Sequence, residues 1–63
     1  MRKKAVIRKL GTIYGAYCYV RTDEEEVSLG LRRDAFVFDW YIDAGRWVDD
    51  HEGDFLIEPA RTA

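Results

Sequence analysis

The residues of this chain with the clearest capacity for chemistry stand together: Asp49-Asp50-His51-Glu52-Gly53-Asp54, four acids around the only histidine. Four carboxylates offer oxygen ligands to a hard cation, and a histidine oriented by Asp49 could serve as a general base. The spacing argues against both. It does not follow the calcium-loop pattern D-x-[DN]-x-[DN]-G-x5-E. In an extended segment alternate side chains also point to opposite faces, which scatters the ligands. No Ser or Cys stands in a nucleophile context that His51 could activate. There is no glycine-rich phosphate loop, no C-x-x-C and no H-E-x-x-H. The segment reads as a charged turn, and the expectation is a non-enzyme with no metal and no cofactor.

Charge is the stronger signal. Residues 1–22 carry six bases (Arg2, Lys3, Lys4, Arg8, Lys9, Arg21) and no acid, whereas residues 23–63 carry all twelve acids and only four arginines. Between Asp34 and Glu58 eight acids face a single base, Arg46. They are spaced rather than run together, as on a rigid surface. An asymmetry of this kind speaks to partners, not to fold.

The elements that must position these groups are short. At 63 residues the chain is read as one domain over 1–63. A chain of this length buries about 60% of its unfolded surface. Cys18 is the only cysteine, so no internal disulfide is available, which fits a reducing compartment. Three Phe, four Tyr and two Trp must supply most of the core. Arg8 and Lys9 interrupt the first apolar run, so no signal peptide is read, and no segment is long enough to span a membrane. A cytoplasmic location is expected.

"KAVIRKL" reads as a strand broken by Gly11, and "TIYGAYCYVR" as a second, rich in Tyr, Ile and Val. "TDEEE" reads as a polar connection. "EVSLGLRR" alternates, with Val27, Leu29 and Leu31 on one face. "DAFVFDWYIDAG" is ambiguous. As a strand it sets Phe36, Phe38, Trp40 and Ile42 on one face, and "DAG" becomes a hairpin loop with Gly45 in the left-handed conformation. As a helix it takes Asp34 as N-cap and Gly45 beyond its C-terminus. The strand template accommodates more of the large side chains. "RWVD" then returns from that hairpin, Gly53 helps a second turn, and "DFLIEP" is the last strand, ended by Pro59. The expected fold is all-β: five to six short antiparallel strands in a small barrel or curled meander. The alternative is α+β, with residues 34–44 helical.

Two resemblances bear on function. Tyr14-Gly15-Ala16-Tyr17 resembles the Y-G-A-F stretch of the S1 and cold-shock type OB folds, and "EVSLGLRRDAF" resembles a later strand and turn of those families. The likeness covers residues 14–36. Ser28 and Gly30 depart from it where those families often place an aromatic and a histidine. It implies an OB- or SH3-like nucleic-acid-binding module that stacks bases on Tyr14, Tyr17 and Tyr19 and meets phosphates with Lys3, Lys4, Arg8, Lys9 and Arg21. In size and charge the chain also resembles the small inhibitors that phages and mobile elements use against host defence, anti-CRISPR proteins among them.

The acidic half supports the favoured reading. On two facing strands, Asp39, Tyr41, Asp43, Trp47, Asp49, Asp50, Glu52 and Asp54 would form one rigid negative face. Such a face can engage the basic surface of a nucleic-acid-handling protein by imitating phosphates. The expected function is therefore a small non-enzymatic inhibitor or interaction protein. A homodimer is a further partner that an exposed edge strand would allow.

Overall fold

In a computed structural model, which describes residues 4–11 and 17–60, the chain forms a four-stranded antiparallel sheet with one α-helix across it. The strands are β1 (Ala5–Lys9), β2 (Tyr19–Val20), β3 (Leu29–Gly30) and β4 (Phe55–Pro59), in the spatial order β3-β2-β1-β4. A 3-10 turn spans Arg32–Asp34, and the helix α1 spans Tyr41–Asp49.

The central strand β1 is "AVIRK", whose first three residues are all buried. It pairs with β4 over its whole length, from Ala5 opposite Pro59 to Lys9 opposite Phe55. On its other side it meets β2 only at Arg8 opposite Tyr19. Beyond that point the two strands fork, and Phe36–Phe38 fills the gap. The Phe36 N–H donates to the Val20 carbonyl at 2.9 Å, while Ala5 and Phe38 exchange two bonds of 2.9 and 2.8 Å. This wedge satisfies backbone groups that the fork would otherwise leave bare.

One face of the sheet carries Ala5, Ile7, Val20, Leu29, Phe55 and Ile57, and α1 covers it with Ala44, Trp47 and Val48. Phe36 and Phe38 close the end of this core, their rings 4.9 Å apart edge to face. The other face carries Arg8, Tyr19, Arg21, Leu56 and Glu58, as strand alternation requires. Val6 and Cys18 are also buried but lie outside the main cluster.

The all-β expectation is corrected to a small α+β fold. The described residues hold four strands rather than five or six, and the sheet is open rather than closed into a barrel. The helical alternative named the right class and overlaps the helix at residues 41–44, but set its start too early. Asp34 closes the 3-10 turn, residues 36–38 are extended, and the helix starts at Tyr41 and runs through Gly45. Gly45 is no hairpin residue, and "RWVD" is the last helical turn instead of a returning strand. The strand template had put Trp40 and Ile42 beside Phe38. In fact Phe38 is 6% exposed, Trp40 46% and Ile42 63%. The spacing that governs is Ala44, Trp47, Val48 and His51, a helical period that puts the apolar groups on the sheet side.

Other expectations match. Gly11 and Gly53 both have positive φ, 79° and 122°, at the ends of β1 and just before β4. Phe55 and Ile57 share the core face, and Pro59 is the last residue of β4. The strand expected over residues 12–21 is described only in part, with Tyr19–Val20 in the sheet; residues 12–16 lie outside the described set. "EVSLGLRR" contributes only Leu29–Gly30 to the sheet, and Val27 is 41% exposed.

Candidate functional site

Trp47 organises the surface around α1. Its ring lies edge to face with Phe55, centroids 5.2 Å apart, it stacks on the His51 ring at 3.7 Å, and its indole N–H donates to the Glu24 carbonyl at 3.1 Å. His51 completes the tie. Nδ1 lies 2.6 Å from the Trp47 carbonyl, and Nε2 lies 2.8 Å from the Glu25 carbonyl. The acidic loop before β3 is thereby fastened against the end of the helix. His51 contacts backbone, and its place in the fold is that of a clamp.

With the loop in this position two recesses open on either side of Trp47. The larger, of about 540 Å3, is lined by the charged Asp23, Asp39, Asp43 and Arg46 and by Phe36, Val37, Phe38, Trp40 and Trp47. The smaller, of about 480 Å3, is lined by Asp23, Glu25, Asp50, His51 and Trp47. Both share Asp23 and Trp47, so the two recesses adjoin, and together they make the groove beside α1. Five carboxylates border it against one arginine. The helix spacing explains the grouping: Asp43 and Trp47 are four residues apart and therefore share a flank of α1.

Of the eight residues expected on the acidic face, Asp39, Asp43, Trp47 and Asp50 are brought together here. Tyr41 and Asp49 stand on the other flank of α1, and Glu52 and Asp54 lie in the exposed stretch that leads to β4. These four do not join the groove, because a helix and a loop replace the two strands that would have aligned them. Asp23, Glu25, Phe36, Phe38 and Trp40 belong to the groove and were missed. "TDEEE" looked like a solvated connection, and only the Trp47 and His51 contacts to its carbonyls bring it across 23 and 26 residues of sequence.

The basic set does not assemble into one surface. Lys3 and Tyr14 lie outside the described residues. Lys4 is exposed at the start of β1, and Tyr17 is 61% exposed. Lys9 turns toward the helix side, with its ammonium 5.2 Å from the Phe55 ring centre. Arg8, Tyr19 and Arg21 lie on the opposite face, together with Arg32 and Glu58. There the Tyr19 hydroxyl donates to Glu58 Oε1 at 2.8 Å, and Arg32 donates to the same oxygen at 2.7 Å and to the Pro59 carbonyl at 2.9 Å. Arg8 approaches the other carboxylate oxygen at 3.6 Å. Burial alone would raise the Glu58 pKa, but the hydrogen bonds from Tyr19 and Arg32, with the charges of Arg32 and Arg8, outweigh it and hold the carboxyl below its ordinary range. Glu58 thus offsets part of the positive charge on this face.

Among the described residues no three His, Cys, Asp or Glu side chains converge in a way that could hold a metal ion. No helix among them is long and apolar enough to cross a membrane. No protein-family model, no curated protein and no solved structure matches the chain.

Proposed function

We propose that this protein is a non-enzymatic interaction protein that docks a basic surface of a nucleic-acid-handling protein in the groove beside α1. The observation that carries this reading is the convergence of Asp23, Asp39 and Asp43 around a groove lined by Phe36, Phe38, Trp40 and Trp47. Carboxylates beside the 46%-exposed Trp40 ring suit an arginine guanidinium, which pairs with the one and stacks on the other. The acids stand on a helix and on backbone tied into the sheet, so their spacing is rigid enough to imitate phosphates.

An arginine-rich peptide serves as the test partner, followed by tryptophan fluorescence, since both tryptophans line the groove. Saturable binding that is lost in the double variant Asp39→Lys/Asp43→Lys supports the reading. Binding unchanged in that variant sinks it. A gel shift with labelled single- and double-stranded oligonucleotides provides the counter-test. Retardation that weakens in Tyr17→Ala or Arg21→Ala would favour the nucleic-acid-binding alternative instead.

A further inference from the structure

Strand β4 is an edge strand, and its outward side has a defined hydrogen-bonding pattern. Leu10 N–H donates to the Asp54 carbonyl and Ala60 N–H to the Lys4 carbonyl, each at 2.9 Å. These bonds make Leu10/Asp54 and Lys4/Ala60 hydrogen-bonded pairs of the antiparallel ladder. Such pairs alternate along it. The backbone groups of Leu56 and Glu58 therefore face β1, and those of Phe55, Ile57 and Pro59 face outward. Among the described residues no strand pairs with that side.

Gly45 adds an independent observation. It sits at the centre of α1, although glycine is the weakest helix former after proline. Among the described residues nothing requires it: a Cβ there would meet only Ile57 Cδ1, at 4.0 Å. That contact shows that the Gly45 flank of α1 overlies the centre of β4. The same flank carries Tyr41 and Asp49, one turn to either side, with Ile42 adjacent and 63% exposed.

We infer that β4 and this flank of α1 form the interface of a homodimer, with a two-fold axis passing by Ile57. The axis pairs each Ile57 with the second copy's Ile57 through two hydrogen bonds. It also sets each Phe55 N–H against the carbonyl of the second copy's Pro59, whose oxygen already accepts Arg32 at 2.9 Å and takes the new bond on its second lone pair. Pro59 has no N–H to offer, so this register uses every donor that the outward edge presents. The helices follow from the sheet geometry. Each α1 packs on both β1 and β4, which places it about one strand spacing, roughly 4.8 Å, from the axis. Two such helices lie about 9–10 Å apart, within the roughly 8–10 Å at which helices pack. Because Gly45 lies over Ile57, the axis that pairs the two Ile57 residues also sets Gly45 against Gly45 of the second copy. It brings Tyr41 across from the second copy's Asp49. The result is a continuous eight-stranded sheet with an α1 pair on one face, and each acidic groove stays open on the far flank of its helix.

Sedimentation equilibrium across the micromolar to sub-millimolar range is expected to give twice the chain mass of 7.4 kDa. Ile42→Lys and Gly45→Glu should each shift the equilibrium to monomer with an unchanged far-ultraviolet circular dichroism spectrum. Ile42 is mostly exposed within its own chain, so Ile42→Lys remains informative even if Gly45→Glu fails to fold. Isotope-filtered NOE spectra of mixed labelled and unlabelled protein should show cross-chain contacts at Ile57 and Gly45. A monomer throughout the range, a dimer indifferent to Ile42→Lys, or cross-chain contacts at other surfaces would each overturn the inference. Binding of the arginine-rich peptide should survive Ile42→Lys, because the groove lies on the opposite flank.

Discussion

His51 is held by a stacked indole and by two backbone carbonyls, one on its own helix and one on a distant loop. Removing the ring leaves those carbonyls to water and uncovers Trp47. His51→Ala is expected to cost about 1–2 kcal/mol, the scale of a lost buried-side hydrogen bond with some packing. Amide exchange in the 23–26 loop should rise by more than it does in the strands, and uniform exchange across the chain would show that His51 is not a clamp. Glu58 behaves differently, since its contribution depends on its charge. Its folded pKa is lowered, so its stabilisation is complete above the ordinary carboxyl value of 4.5 and is lost as pH falls through the lowered folded value. Glu58→Gln should therefore lower the urea midpoint at neutral pH and flatten the acid limb of the stability profile. An acid limb identical to that of the unmodified chain would remove Glu58 from the account. Neither role can be seen in "WVDDHEGDFLIEP" alone. The histidine's partners are carbonyls of Trp47 and Glu25, and the glutamate's are side chains from three separate elements.

At the scale of elements the fold depends on the Phe36–Phe38 wedge. It is too short for a ladder of its own, yet it bonds to β2 at one end and to β1 at the other. Phe38, at 6% exposure, is buried in the main core cluster. Phe38→Ala is expected to cost about 3–5 kcal/mol through lost burial and a residual cavity. A single core of this size supplies only about 3–5 kcal/mol in total. The variant should thus be largely unfolded at room temperature by circular dichroism, and a stable, cooperatively folding Phe38→Ala protein would contradict this assignment. The strands β1 and β4 and the breaking glycines were legible from sequence, because β-branched runs and positive φ are local properties. The helix was not. "DAFVFDWYIDAGRWVDD" contains an extended half and a helical half without a strong break, and Trp40 lacks a side-chain cap to mark the start. A window shifted toward Trp47 would have caught the helical spacing of Ala44, Trp47, Val48 and His51.

Across the whole molecule, charge is sorted between two faces. The helix side gathers Asp23, Glu25, Asp39, Asp43 and Asp50 around aromatic walls. The opposite sheet face carries three arginines around Tyr19 and balances them in part with Glu58. Capture of a basic partner should weaken steeply as salt rises, because the Debye length falls from about 8 Å at physiological ionic strength to about 3 Å at 1 M. The association rate should fall more than the dissociation rate rises. A salt-independent affinity would point to a purely apolar contact in the groove.

The amino-acid sequence by itself determined the charge polarity, the two long strands and the acidic character of the C-terminal half. These depend on composition and on short-range periodicity. The tertiary structure decided which acids act together. Asp49, Glu52 and Asp54 are neighbours of His51 in sequence, yet they stay outside the groove, while Asp23 and Glu25 enter it from a loop more than twenty residues away. That sorting rests on the helical turn of Tyr41–Asp49 and on two carbonyl contacts from Trp47 and His51. A helix replaces the two-residue alternation of a strand with a period of about 3.6, and contacts across such a distance leave no local mark in the chain.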